Sequence, residues 1–170
     1  STIENIFKFK RLVDREKAQA LAENHFEVQL IPVMNMASSV LECAKSYVVW
    51  KREDEVWPEE QFLNILEEDG FIIELEKYIF RKICRMFAEF PYAKCSKIPV
   101  IVSTSAISIN HLSFISELEQ ILKEYDIPAN KFIIELENIN NRIDNRRIIR
   151  FMENLKERGF GTSVKGFGQD

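Results

Sequence analysis

Cysteine, histidine, glycine and proline are all sparse here: three, two, five and five residues among 170. Cys43, Cys84 and Cys95 form no CxxC pair and leave one thiol over in any pairing, so a disulfide scaffold is excluded and reduced thiols in a cytoplasmic protein are expected. His25 and His111 are far apart, with no Glu or Cys at ligand spacing, which favours capping or surface roles over a metal centre. No run approaches the roughly 20 apolar residues of a membrane span, and no signal-peptide pattern opens the chain. A basic field is also missing. The net charge is −4 and the sequence pI is near 5.4, so neither nucleic acid nor an anionic membrane is an expected partner. What remains is an ordinary globular balance, 46% hydrophobic and 29% charged, with thirteen phenylalanines to fill one domain core.

Periodicity divides the chain. Leu12 to Asn24 has helix formers with Leu12, Ala18, Leu21 and Ala22 at helical spacing, and Ser1 to Lys10 reads as a linker into it. Phe26 to Met34 and Val40 to Trp50 read as strands around a turn over residues 35–39. The charged stretch 51–60 reads as a loop and helix entry, within which Trp57 reads as an exposed aromatic that either anchors a partner or packs against its own loop. A short helix through Phe62, Ile65 and Leu66 closes at Gly70, and a longer one runs from about Ile73 to Phe90. Leu75, Ile79, Ile83, Met86, Phe87 and Phe90 form its apolar side, and Pro91 ends it.

From Pro99 onward the pattern is strand, helix, strand, helix, strand: 99–103, 114–125, 131–136, 144–158 and 160–165. Short, continuously apolar strands alternating with helices imply parallel strands joined by crossovers, in a barrel or an open doubly wound sheet.

These landmarks are spaced as in a known family. Leu30-Ile31-Pro32-Val33 ends the first strand, and Lys45-Ser46-Tyr47 followed by Val48, Val49 and Trp50 lies ten positions beyond Asn35. Phe62, Glu67-Glu68-Asp69-Gly70 and Glu74-Leu75 form a helical signature. Val102-Ser103-Thr104-Ser105, Glu135-Leu136-Glu137-Asn138, Gly159 and Lys165-Gly166-Phe167-Gly168 complete the series. The pattern resembles the EAL domain, the fold of cyclic di-GMP phosphodiesterases. The resemblance implies an α/β fold, the N-terminal portion of an incomplete TIM-like (β/α) barrel of the EAL type. A leader occupies residues 1–18 and the barrel portion 19–170. A complete barrel takes roughly 250 residues, whereas this chain ends after a fifth strand-like segment.

The family holds Mg²⁺ or Mn²⁺ with oxygen ligands at its strand ends, where the metal activates water for phosphodiester hydrolysis. By that resemblance Lys45 stands in place of the Glu of the Glu-Ala-Leu motif, Ser103 in place of a metal-binding Asn, and Lys165 and Gly166 in place of paired aspartates. Glu135 alone is kept, as a vestigial ligand position. Ile31 and Val49 replace the residues that reach guanine and phosphate, so cyclic di-GMP binding has little support. Neither a catalytic residue nor a metal cofactor is therefore expected. Lys45 and Lys165 are expected to neutralise Glu135 in the cation's place. Glu42 in Glu42-Cys43-Ala44 imitates the lost motif, but an odd offset along a strand turns it to the other face.

Two further groups weigh less. Arg142, Arg146, Arg147 and Arg150 share one helix side with Glu153 and Glu157 and read as a solvated face. Ser103 to Ser105 lack a His or acid at recognisable spacing. The resulting expectation is a non-catalytic EAL-like module of bacterial signalling that works through a protein partner or as a dimer. The alternatives are a phosphodiesterase active only in the full-length chain, and a non-hydrolysing cyclic di-GMP receptor.

Overall fold

The computed structural model describes residues 1–137 and 143–165. Helix α1 spans Thr2–Ala22, so the expected linker over Ser1 to Lys10 is helical instead. The reason is local. Ser1 and Glu4 form a capping box, with the Ser1 hydroxyl accepting the Glu4 N–H at 3.2 Å. Strands β1 (Phe26–Asn35) and β2 (Val40–Lys51) follow as an antiparallel hairpin. Asn35 Oδ1 accepts the N–H groups of Ala37 and Ser38 at 2.9 and 3.1 Å and so closes the turn. A register shift in this hairpin leaves Glu42 without a partner across it, since Val33 pairs with Cys43 and Met34 with Leu41.

The segment expected to be a plain loop contains a further strand, β3 (Val56–Pro58), antiparallel to the end of β2. Among the described residues it brings the sheet to six strands, one more than the sequence suggested. Trp57 is buried, packed with its own loop as one of the two readings has it, and is not an exposed anchor. Its ring lies 4.8 Å from Phe9 and 5.1 Å from Trp50, which in turn packs on Phe26 and Phe62. Each such aromatic pair contributes about 0.5–1.5 kcal/mol beyond its buried area. The indole N–H donates to Glu55 at 2.9 Å, and the Arg52 guanidinium covers the ring at 4.1 Å.

Helices α2 (Glu59–Glu68) and α3 (Phe71–Glu89) meet at Gly70, whose φ of +83° turns the chain between them. Leu75, Ile79, Ile83 and Phe87 of α3 are buried as the periodicity implies, but Phe90 lies beyond its end and is 61% exposed. After Pro91 a short helix, α4 (Pro91–Cys95), leads to β4 (Val100–Ser105). Then come α5 (Ala106–Ile109), α6 (Phe114–Tyr125), a 3₁₀ turn over Ala129–Lys131 and β5 (Phe132–Glu137). Asp144 caps α7 (Asn145–Glu157) by accepting the Arg146 N–H at 2.9 Å, and β6 (Gly161–Val164) follows.

The sheet order is β1-β2-β4-β5-β6, with β3 also on β2. β1 and β3 run antiparallel to β2, while β2, β4, β5 and β6 are mutually parallel. Side chains alternate between its two faces. Val100, Val102, Phe132, Ile134 and Leu136 are buried on one, where Phe132 meets Phe80 of α3 at 4.4 Å between centroids. The opposite face carries Lys45, Ser103, Glu135, Glu137 and Ser163. Among the described residues no helix is long and apolar enough to cross a membrane.

Candidate functional site

Register builds the site. Lys45 pairs with Ile101 on β4, while Ser103, Glu135 and Ser163 lie side by side on β4, β5 and β6. Glu137 follows Glu135 by two residues and so shares its face. Lys45 Nζ lies 3.2 Å from Oε1 of Glu135 and 3.2 Å from Oε1 of Glu137. Ser163 Oγ donates to Glu135 Oε2 at 3.1 Å, and Ser103 Oγ donates to Glu137 Oε1 at 3.0 Å. Burial disfavours the Lys45 charge, yet hydrogen bonds and attraction from Glu137 and Glu135 raise its pKa above the ordinary lysine value. The ammonium is held charged.

This arrangement matches the expected compensation of Glu135 only in part. Lys165 is 63% exposed and stands 3.8 Å from Glu137, not against Glu135. Of the two lysines it is Lys45 that serves Glu135, and it serves a second carboxylate as well. The sequence pattern gives Glu137 only a place in the strand-end motif and no role, although the two-residue period already puts it on the face of Glu135. Gly166 and Arg142 lie outside the described residues. Ile31 sits opposite Lys45 across the hairpin and is 46% exposed. Val49 is half-buried between Glu27 and Pro58. Glu42, in the register shift, is exposed and accepts from Asn35 Nδ2 at 2.8 Å, away from Lys45.

Two more acids escaped sequence reasoning. Glu59 accepts the Val48 N–H at 2.9 Å, and burial raises its pKa. Glu76 is buried in α3, accepting the N–H of Ser105 and the hydroxyl of Ser108. Burial pushes Glu76 up to about 8. With Glu67, Glu137, Tyr47 and Ser103 they line a small cavity of about 50 Å³. The available signal was positional: Glu76 interrupts the stripe of Leu75, Ile79 and Ile83.

Oxygen donors of this kind suit hard divalent cations. The geometry, however, already supplies a cation, since the Lys45 ammonium stands between Glu135 and Glu137. A divalent ion at that point would be repelled by several kcal/mol even at an effective dielectric near 20. Among the described residues no three His, Cys, Asp or Glu side chains gather as metal ligands. His25 lies 3.3 Å from Glu23 and His111 3.2 Å from Glu117, both at the surface. Ser103, Thr104 and Ser105 have no histidine beside them in these contacts; Ser103 and Ser105 serve Glu137 and Glu76 instead.

Residues 14–170 match the EAL domain family. The chain belongs to that family. It is 22% identical over 157 residues to the cyclic di-GMP phosphodiesterase NbdA of Pseudomonas aeruginosa, covering 92% of this chain and 20% of that protein. The cyclic di-GMP phosphodiesterase PdeF of Escherichia coli is 25% identical over 151 residues, 88% of this chain and again 20% of the relative. The chain therefore spans about a fifth of the length of these relatives. Among solved structures, the PaMucR phosphodiesterase in complex with c-di-GMP superposes with a TM-score of 0.83 at 18% identity, over 93% of this chain and 64% of that one. At that identity the likeness establishes the α/β fold with its mixed sheet, and no more.

Proposed function

We propose that this chain is a catalytically silent EAL module, the N-terminal part of an incomplete TIM-like barrel, that acts by protein contact in bacterial cyclic di-GMP signalling. The observation that carries this reading is the Lys45 ammonium 3.2 Å from both Glu135 and Glu137. A fixed positive charge, hydrogen-bonded on the sheet face, takes the role that a divalent cation plays in hydrolysing relatives. It balances carboxylate charge but cannot accept a water ligand or polarise a phosphate. Ser103 in place of an Asn ligand, and Lys165 and Gly166 in place of paired aspartates, support the same conclusion.

The test is a hydrolysis assay of the full-length protein with cyclic di-GMP and added Mg²⁺ or Mn²⁺. No turnover above the uncatalysed background is expected; metal-dependent linear dinucleotide product would overturn the reading.

A second reading is a receptor that binds cyclic di-GMP without turnover. The FimX EAL domain of Xanthomonas citri, solved in complex with c-di-GMP, superposes with a TM-score of 0.76 at 18% identity, over 96% of this chain. A receptor that binds without turnover would share that fold. Ile31 and Val49 weaken it, because an aliphatic side chain offers a guanine edge or a phosphate no hydrogen bond. Calorimetry with cyclic di-GMP separates the two readings, micromolar binding favouring the receptor.

A further inference from the structure

The chain is acidic overall, yet one groove on it is basic. Arg147 and Arg150 of α7, with Asn110, Leu112, Ile115 and Phe151, line a groove of about 360 Å³ beside the α5–α6 connection. Arg147 donates to the neutral Asn110 Oδ1 at 2.8 Å. Arg146 next to it pairs with Asp144, and Arg52, Arg81 and Arg158 elsewhere each meet a glutamate. Among the described residues no carboxylate reaches Arg147 or Arg150. Leu112 is fully exposed on the same rim, so the groove offers two uncompensated charges around an apolar floor.

A complementary pair of charges stands elsewhere on the molecule. Glu53 and Asp54 occupy the tip of a tight turn closed by the Arg52 N–H donating to the Glu55 carbonyl at 2.9 Å. Side chains brace the base of the turn: Arg52 is stacked on buried Trp57 at 4.1 Å, and the Trp57 indole holds Glu55 at 2.9 Å. The charge of Arg52 is engaged by Glu16 at 3.1 Å. Among the described residues no cation pairs with Glu53 or Asp54, and Val56 beside them is 54% exposed.

We propose that the Glu53–Val56 tip of one copy docks in the Arg147–Arg150 groove of a second copy. Two carboxylates meet two guanidiniums, and Val56 covers Leu112 and Ile115. A pre-ordered tip loses little conformational freedom on docking. Tip and groove are different patches, so the contact is head-to-tail and adds copies in series rather than closing a two-fold pair. Exposed charges carry it, so it is weak and weakens further with salt. Its use in signalling rests on the contact-module reading above, but its existence is tested independently of catalysis.

The experiment is sedimentation of the protein over a concentration series at about 50 mM and about 500 mM salt. Association is expected at low salt and lost at high salt. R147E/R150E and E53R/D54R should each lower the association constant about tenfold or more. Mixing the two variants should restore it, because the unaltered tip of one then meets the unaltered groove of the other, and the reversed tip meets the reversed groove. A protein that stays monomeric at low salt, a single variant that associates like the parent, or a mixture that fails to recover would each overturn the docking. None of these outcomes bears on whether the Lys45 site hydrolyses a dinucleotide.

Discussion

Lys45 Nζ lies 3.2 Å from Glu135 Oε1, and both side chains are largely shielded, at 14% and 12% exposure. Removing one partner of such a pair strands the other. Lys45→Met should therefore cost about 2–3 kcal/mol, less than for a wholly buried pair because some solvent reaches the site. Adding Glu135→Gln and Glu137→Gln should recover most of that loss. Chemical denaturation reads both; a neutral Lys45→Met would show that the ammonium does not compensate the carboxylates.

Divalent cations offer a second check. Ligand binding to the native state raises stability in proportion to the logarithm of its concentration over Kd. Millimolar Mg²⁺ or Mn²⁺ should leave the melting temperature unchanged. A rise that saturates with metal would mean that the strand ends hold a cation after all.

Glu76 makes a pH prediction whose sign is fixed. Burial raises its folded pKa from 4.5 to about 8, so between those values the native state holds a proton that the unfolded chain has released. Its contribution is full below about pH 4.5 and fades as pH rises through the folded value, by about 1.4 kcal/mol per pH unit at most. Glu76→Gln, which cannot ionise, should flatten that part of the stability profile. Parallel profiles for the two proteins from pH 5 to pH 8 would contradict it.

Trp57 joins α1 to the β2–β3 ladder through Phe9 and Trp50. Trp57→Ala should cost about 3–5 kcal/mol and release α1, seen as faster amide exchange over residues 5–15. Retained protection there would mean that α1 docks without the indole.

Gly70 isolates backbone strain. Its φ is +83° and nothing lies within 4 Å of an added Cβ, so Gly70→Ala meets no clash. The loss should be about 1–2 kcal/mol from the left-handed conformation alone, measured as a lower denaturation midpoint with unchanged slope.

Much of the architecture was legible locally. Sequence pattern located the helices at 114–125 and 144–158, within a residue of those observed, and the buried strands, because burial on one side imposes a spacing that neighbouring residues reveal. Spacing across Pro32, Trp50, Gly70, Glu135, Gly159 and Gly168 carried the family resemblance. Shorter devices were missed. The capping box of Ser1 and Glu4 extends α1 over the expected linker, and Val56–Pro58 gains strand structure only by pairing with β2.

The sequence by itself determined which residue types occupy the site: a lysine and two serines among carboxylates, a chemistry no folding can alter. Only the tertiary structure decided how their charges are shared. Strand register, a non-local property, brings Lys45 across β4 to both Glu135 and Glu137 and leaves Lys165 at the rim. Burial likewise belongs to the assembled fold: it takes Trp57 out of solvent and holds a proton on Glu76, for reasons that lie in elements distant along the chain.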